Sequence, residues 1–250
     1  MAMNLSKALT VAGLLATLGL ARACAATSAQ EERSPSAASA ATVVLIHGFG
    51  RSNRAMWRLD QQLTEAGYDV RRVGYQSLFQ TPEDIVAAVT QQIDDCCTGA
   101  DGQPLHLVGH SLGGLLIRKY LDGRTPANLG RVVLIGTPSA GTPIADRYQD
   151  NEWVKIIAPM TGGLGTAANG FGKDIGKPAY PLGVIAGVVD SGMGSELIPG
   201  RDDGLVPVES TKVDGMADFI EVNANHSALR YDETTARQVI AFLRDGQFRH

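Results

Sequence analysis

Cysteine is scarce in this chain, which contains only three in 250 residues, at positions 24, 96 and 97. Cys96 and Cys97 are adjacent, and neighbouring cysteines can pair only in a small, strained ring. We therefore expect no disulfide framework. No group of Cys and His residues has the spacing of a metal site, and the sequence implies no cofactor. The fold is expected to depend on its hydrophobic core.

Two further absences narrow the class of protein. The 22 Lys and Arg residues do not outnumber the 26 Asp and Glu residues, and no basic cluster is present. Both observations argue against nucleic acid as a partner. Long apolar runs are also rare, and the longest, at 8–21, is shorter than the roughly 20 residues that a membrane span requires.

The N-terminal apolar run has the layout of a secretory signal peptide. Lys7 precedes it, and small residues that suit a cleavage site follow at 21–25. We predict a signal peptide over 1–25 and export to the periplasm or the medium. Two alternatives stay open: an uncleaved membrane anchor, and lipid attachment at Cys24, which Arg22 disfavours. Either would hold the protein at a membrane surface.

The remainder of the chain is predicted to hold one domain. Residues 26–41 are rich in Ala and Ser and predict a flexible leader, whereas 42–250 are long enough for a single domain with a large core. Strand-like and helix-like segments alternate there, which predicts an α/β class with a mainly parallel sheet flanked by helices on both faces. The predicted strands are 42–46, 68–73, 105–108, 132–135, 182–189 and 219–222, and the predicted helices are 56–66, 81–97, 113–121 and 233–243.

A nucleophile pattern lies between the third strand and the third helix. The residues at 109–113 read G-H-S-L-G, a G-x-S-x-G pattern. A sharp turn from strand to helix would force Ser111 into a strained backbone conformation and leave no room for side chains at Gly109 and Gly113. The helix N-terminus behind Ser111 would then stabilise a developing negative charge. The alternative is an ordinary serine N-cap, which does not explain the two glycines.

This pattern resembles the nucleophile elbow of the α/β-hydrolase superfamily, in particular of bacterial lipases and esterases. Residues 43–50, V-V-L-I-H-G-F-G, resemble the lipase strand that ends in an oxyanion loop. Residues 135–146, I-G-T-P-S-A-G-T-P-I-A-D, resemble a loop near the site of many such hydrolases. The resemblance implies an oxyanion hole formed by the backbone N–H groups of Phe49 and Leu112, with His47 in a structural role.

The base and the acid should follow the nucleophile in the order Ser, Asp or Glu, His. Of the two later histidines, His226 follows a predicted strand, whereas His250 ends the chain. The segment 203–207, D-G-L-V-P, resembles the D-G-x-V-P loop that carries the acid in lipases, which favours Asp203. Asp202 and Asp190 stay open as alternatives.

The resemblance implies a serine hydrolase that cleaves carboxylic esters, with small-molecule or lipid esters as substrates. The region around 145–181 is predicted to form a small, irregular cap, because it is short and has few large apolar residues. This favours an esterase or a small-lid lipase over a lipase with a large helical lid. A thioesterase or acyltransferase would use the same three residues, and a non-catalytic lipid-binding module on this fold is the alternative outside enzymes.

Overall fold

The computed structural model of the protein describes residues 40–98, 102–148, 150–167, 170–189 and 197–250. The predicted signal peptide, the predicted leader up to residue 39, Cys24 and Asp190 lie outside the described residues. Within the described ranges, no helix has both the length and the apolar character that crossing a bilayer requires.

The described residues form a six-stranded sheet in the order β2-β1-β3-β4-β5-β6, and every pair of neighbours is parallel. This confirms the predicted parallel sheet. The strands are β1 (Thr42–Ile46), β2 (Asp69–Val73), β3 (Leu105–His110), β4 (Leu129–Ile135), β5 (Leu182–Val188) and β6 (Asp218–Asn223).

Helices cover both faces of this sheet. They are α1 (Trp57–Glu65), preceded by a 3-10 turn (Asn53–Met56), α2 (Pro82–Cys97), α3 (Leu112–Tyr120), α4 (Pro143–Tyr148), α5 (Glu152–Ile157), α6 (Met160–Gly163), α7 (Val208–Thr211) and α8 (Glu233–Asp245). In β1, Val44 and Ile46 join a core formed with α2 and α3. Val43 and Leu45 join a second core, formed with α1 and α8. Successive side chains of a strand point to opposite faces, so one apolar run serves both cores.

Two elements differ from the sequence prediction. Strand β4 begins at Leu129, because Leu129 pairs with Leu105 across an irregularity in the register. The segment after β4, predicted as largely irregular, contains α4, α5 and α6. Thr142 precedes Pro143 at the start of α4, and its hydroxyl accepts a hydrogen bond from the Ile144 N–H at 3.3 Å. A threonine followed by proline is a helix-start signal that the sequence does contain.

The two adjacent cysteines are paired in the structure. Cys96 and Cys97 form a disulfide with each other in the last turn of α2. The bond joins adjacent residues and closes no loop between elements, so it provides none of the cross-linking by which disulfides stabilise small domains. The two apolar cores therefore still carry the fold.

Candidate active site

Three loops at the carboxyl edge of the sheet carry the predicted site residues. Ser111 lies between β3 and α3, Asp203 lies between β5 and α7, and His226 follows β6. Because the strands are parallel, their carboxyl ends meet at one edge, where such folds place their functional groups. Residues that are far apart in the chain are thereby brought together.

His226 bridges the other two side chains. Its Nε2 lies 3.0 Å from Ser111 Oγ, and its Nδ1 lies 2.7 Å from Asp203 Oδ2. A carboxylate only accepts, so Nδ1 carries the proton and Nε2 is left to accept the proton of the serine hydroxyl. This arrangement of acid, base and hydroxyl is the one that activates a serine as a nucleophile.

The aspartates differ in their surroundings. Asp203 is 1% exposed, and its Oδ1 accepts hydrogen bonds from the N–H groups of Leu205 at 3.0 Å and Val206 at 2.8 Å. These bonds leave Oδ2 directed at His226. Asp202 instead accepts from the Gly204 N–H at 2.6 Å within its own turn. The structure therefore brings Asp203, and not Asp202, to the histidine, and Asp190 lies outside the described residues.

The backbone of Ser111 is strained. Its φ is 56° and its ψ is −124°, a positive φ that residues with a side chain rarely adopt. A Cβ at Gly109 would collide with the backbone of Gly114, and one at Gly113 would collide with the carbonyl oxygens of Ile46 and His47. The glycines are therefore required by close packing of β3, α3 and β1. The Ser111 side chain does not cap α3, which argues against a simple N-cap.

The predicted oxyanion groups lie beside this turn. A Cβ at Gly48 would lie 3.0 Å from the Ser111 Cβ, so the loop that carries Phe49 closely approaches the serine. Within the described residues, neither the Phe49 nor the Leu112 N–H donates a hydrogen bond. The first turn of α3 holds no acidic residue. Two backbone donors and an uncompensated helix dipole are thus available for a negative charge.

His47 is buried in the loop before Phe49. Its Nδ1 donates to the Gly48 carbonyl at 2.9 Å, and its Nε2 accepts from the Tyr75 N–H at 3.4 Å. The ring stacks on Tyr75 with centroids 4.2 Å apart. Burial lowers the pKa of His47, which keeps the ring neutral. These contacts fit the predicted structural role.

Large apolar side chains are exposed on two segments that are linked by hydrogen bonds to each other and to the oxyanion loop. We call Leu78, Phe79, Ile156 and Ile157 the apolar rim, because all four are exposed. The Phe79 N–H donates to the Ile157 carbonyl at 2.7 Å, which joins the two halves of the rim. The Ser77 hydroxyl accepts from the Gly50 N–H at 2.7 Å, which joins the rim to the oxyanion loop. Phe79 also has a positive φ, of 58°.

The site also includes a cavity. A cavity of about 610 Å³ lies beside His226 and is lined also by Val189, Leu205 and Asn225. In the described part of the chain, no three or more His, Cys, Asp and Glu side chains are grouped to hold a metal ion.

Sequence reasoning missed one residue at this site and one on the segment linked to the oxyanion loop. His110 precedes Ser111, and its ring is hydrogen-bonded to the main-chain carbonyl oxygen of His226. Phe79 is a member of the apolar rim. Neither carries a sequence signal, because one role depends on a contact between residues 110 and 226 and the other on a local backbone conformation.

One protein family matches most of this chain. The profile of one protein family, described as a domain of unknown function (DUF7379), matches residues 20–205, a range that includes Ser111 and Asp203 but not His226. A comparison with curated protein sequences found no match.

Solved structures resemble the chain at low sequence identity. The lipase BlEst2 of Bacillus licheniformis matches in its propeptide form (17% identity, TM-score 0.65, 85% of this chain and 51% of that one) and in its mature form (20%, 0.62, 83% and 92%). A metagenomic carboxyl esterase matches at 16% identity and a TM-score of 0.59, over 77% of this chain and 66% of the other. This chain spans about half of the propeptide form of BlEst2. At such identities the likeness establishes the fold, which is the α/β-hydrolase fold.

Proposed function

Because this chain belongs to the DUF7379 family, a domain of unknown function, its activity has to be inferred from its own site, and we propose that it is a serine hydrolase of carboxylic esters. The observation that carries the proposal is the position of His226 between Ser111 Oγ at 3.0 Å and Asp203 Oδ2 at 2.7 Å. Such a chain of contacts converts a weakly nucleophilic hydroxyl into one that attacks a carbonyl carbon.

In the first half of the reaction, Ser111 Oγ bonds to the ester carbonyl carbon while its proton moves to His226 Nε2. The carbonyl oxygen becomes an oxyanion, which the N–H groups of Phe49 and Leu112 stabilise. The bond from carbon to the alcohol oxygen then breaks, and His226 returns its proton to the departing alcohol. Asp203 stabilises the imidazolium that forms between these two transfers.

In the second half, water attacks the acyl group on Ser111 and gives its proton to His226 Nε2. The second oxyanion uses the same two backbone donors. When it collapses, the carboxylic acid leaves and the proton returns to Ser111 Oγ. Backbone donors suit this role because they need no reorganisation as charge develops.

The apolar rim supports an ester with an apolar acyl group as the substrate. Phe79 and Ile156 are 70% and 63% exposed, an unfavourable arrangement unless the side chains meet an apolar partner. The short helices α4 to α6 provide no large helical lid within the described residues. We therefore favour an esterase or a small-lid lipase.

A fluorophosphonate probe tests the nucleophile. The probe is expected to label the wild-type protein and the Ser139→Ala variant, and not Ser111→Ala. Ser139 is a suitable control because it is also buried, on a neighbouring loop, and its hydroxyl has no hydrogen-bond partner. A folded wild-type protein that is not labelled would contradict the proposal and favour a non-catalytic lipid-binding module. A labelled Ser111→Ala would contradict it by showing that another residue is the nucleophile.

A series of p-nitrophenyl esters with increasing acyl length tests the substrate class. Cleavage of short and medium chains indicates an esterase, whereas strong preference for chains of about ten carbons or more indicates a lipase with a long apolar cleft. Faster cleavage of the matching thioesters would indicate a thioesterase, and transfer of the acyl group to an added alcohol would indicate an acyltransferase. Ile156→Ser should reduce kcat/KM for long chains and leave acetyl ester cleavage unchanged.

The acid can be assigned by a pair of isosteric substitutions. Asp203→Asn should lower kcat by about 10³–10⁴-fold, because an amide cannot hold the imidazole in the required tautomer. Asp202→Asn is the matched control and should stay within a few fold of the wild type, since among the described residues its carboxylate accepts from the Gly204 N–H and does not contact His226. Equal losses in both variants would argue against Asp203 as the acid.

We also propose that the protein is exported through its N-terminal segment. Lys7, the apolar run at 8–21 and the small residues at 21–25 support this proposal. The intact mass of the protein recovered from the periplasm or medium would report cleavage near residue 25, or a lipid at Cys24. A full-length protein retained in the cytoplasm would refute it.

A further inference from the structure

His110 lies beside the proposed nucleophile and is not part of the reaction described above. Its side chain is 2% exposed. Its Nε2 lies 2.8 Å from the main-chain carbonyl oxygen of His226. A carbonyl oxygen only accepts, so Nε2 of His110 carries the proton and donates. The two imidazole rings are also in contact, with centroids 4.8 Å apart.

The main chain of His226 is consequently fixed on both sides. Its N–H donates to the Asp203 carbonyl at 2.8 Å, and its C=O accepts from His110. The first bond ties the histidine to the loop of the acid, and the second ties it to the residue before the nucleophile. Small displacements of a general base from the hydroxyl it activates are costly, since about 1 Å of misplacement lowers rates by about 10²-fold.

His110 is suited to this contact because it stays neutral. The pKa of His110 lies well below its ordinary value. Burial is the largest cause and the nearby His226 the second, and the charged groups Arg230 and Arg51 act in the same direction. A neutral ring donates through Nε2 without adding a second positive charge next to the imidazolium. Its other nitrogen, Nδ1, is buried and has no partner in the described part of the chain. That nitrogen lies 3.1 Å from where a Cβ at Gly48 would be, so the ring fills the space between the oxyanion loop and the base.

From these contacts we propose that His110 is a positioning residue, which holds the His226 main chain at the distance from Ser111 that proton transfer requires. The inference rests on the proposed function, because positioning is measurable only through turnover. In this role His110 acts through His226. The bond crosses from the end of β3 to the loop after β6, two strands that are not neighbours in the sheet.

Two substitutions at this position separate hydrogen bonding from packing. His110→Met replaces the ring with an apolar side chain of similar size and so removes the hydrogen-bond donor. His110→Gln places an amide N–H close to where the imidazole Nε2 lies, so it can still donate to the His226 carbonyl. With p-nitrophenyl butyrate, His110→Met should lower kcat by about 10–100-fold with KM nearly unchanged, as expected when the general base is displaced by up to about 1 Å. His110→Gln should recover most of that loss.

His106 provides the matched control on the same strand. It too is buried, and its Nδ1 accepts from the Arg131 N–H at 2.9 Å, at the opposite end of β3 from the site. His106→Met should therefore affect thermal unfolding as much as His110→Met and leave kcat unchanged. Should His110→Met fail to fold, His110→Asn serves instead, because its shorter amide cannot reach the carbonyl and should show the same loss relative to His110→Gln.

The outcomes distinguish this inference from the function on which it rests. Loss of kcat in His110→Met, recovery in His110→Gln and normal turnover in His106→Met would support it. Equal kcat in wild type and His110→Met, equal losses in the two methionine variants, or a change in KM alone would overturn it while leaving Ser111 reactive to fluorophosphonate. Absence of any labelling of the wild type would overturn the proposed function instead.

Discussion

The N-termini of α2 and α3 solve the same physical problem in different ways. Helix α2 begins after Thr81, whose φ is −73° and whose hydroxyl accepts from the Asp84 N–H at 3.2 Å. Its first turn contains Glu83 and Asp84, which offset the positive end of the helix dipole. Helix α3 begins after Ser111, which has a positive φ and makes no cap, and its first turn contains no acid.

The difference separates a helix end that is capped by side chains from one that is not, and the proposed function uses the second. Thr81 and its acidic neighbours satisfy the free N–H groups and the dipole of α2 internally. At α3 no side chain caps these groups, and the positive φ of Ser111 has a cost in stability that the surrounding packing must offset. Four substitutions test this contrast.

The largest effect is expected from Ser111→Gly. Ester cleavage should fall on the order of 10⁴-fold or more, because the nucleophile is lost. The free energy of unfolding should be unchanged or higher, by about 1 kcal/mol, because glycine adopts a positive φ without strain. Urea unfolding monitored by circular dichroism measures this. A clear loss of stability would show that the α3 end is not strained.

Gly113→Ala should have the next largest effect. The added methyl group would collide with the carbonyl oxygens of Ile46 and His47, and such overpacking costs about 1–3 kcal/mol. Gly162→Ala in α6 is the control, since a Cβ there meets nothing within 4 Å. Thermal unfolding of the two variants compares them directly, and equal midpoints would mean that α3 does not pack as tightly on β1 as described.

Thr81→Ala should cost about 1 kcal/mol of unfolding free energy, the usual value of an N-cap. Ester cleavage should not change, because this end of α2 contributes no group to the site. Thr81→Ser retains the hydroxyl and should restore most of the stability. A loss of activity in Thr81→Ala would contradict the separation between the two helix ends.

The smallest effect is expected from Glu83→Gln, at about 0.3–0.5 kcal/mol, because an exposed acid at a helix start acts mainly through the dipole. Added salt should remove the difference between this variant and the wild type, because exposed charges are screened. Chemical unfolding at low and at high ionic strength provides the measurement. An effect that persists in high salt would indicate a specific contact instead.

The sequence predicted the elements whose signals are local. Strand β1 was predicted with its observed bounds because five apolar or β-branched residues follow one another. Helix α2 was found from its threonine, proline and acids. The start of β4 was missed, since Leu129 and Gly130 join the strand only by pairing with β3. Tertiary contacts of this kind leave no periodic pattern in the chain.

The positions of the candidate site residues could be predicted to the same degree. Ser111 and His226 followed from chain order and motif, and Asp203 was favoured over Asp202 only by resemblance. The structure separates the two aspartates through hydrogen bonds inside the 202–206 turn, which no spacing rule specifies. His110 could not be predicted, because its bond to His226 joins residues that only the complete sheet brings together.

The order of strands in the sheet also has a consequence for refolding. Ser111 follows β3 near the middle of the sheet, whereas His226 follows β6 at its edge and Asp203 follows β5 between them. Non-local pairings of this kind form slowly compared with helices. After dilution from denaturant, helical signal should therefore return before fluorophosphonate labelling does, and the time between the two would report when the last strands dock.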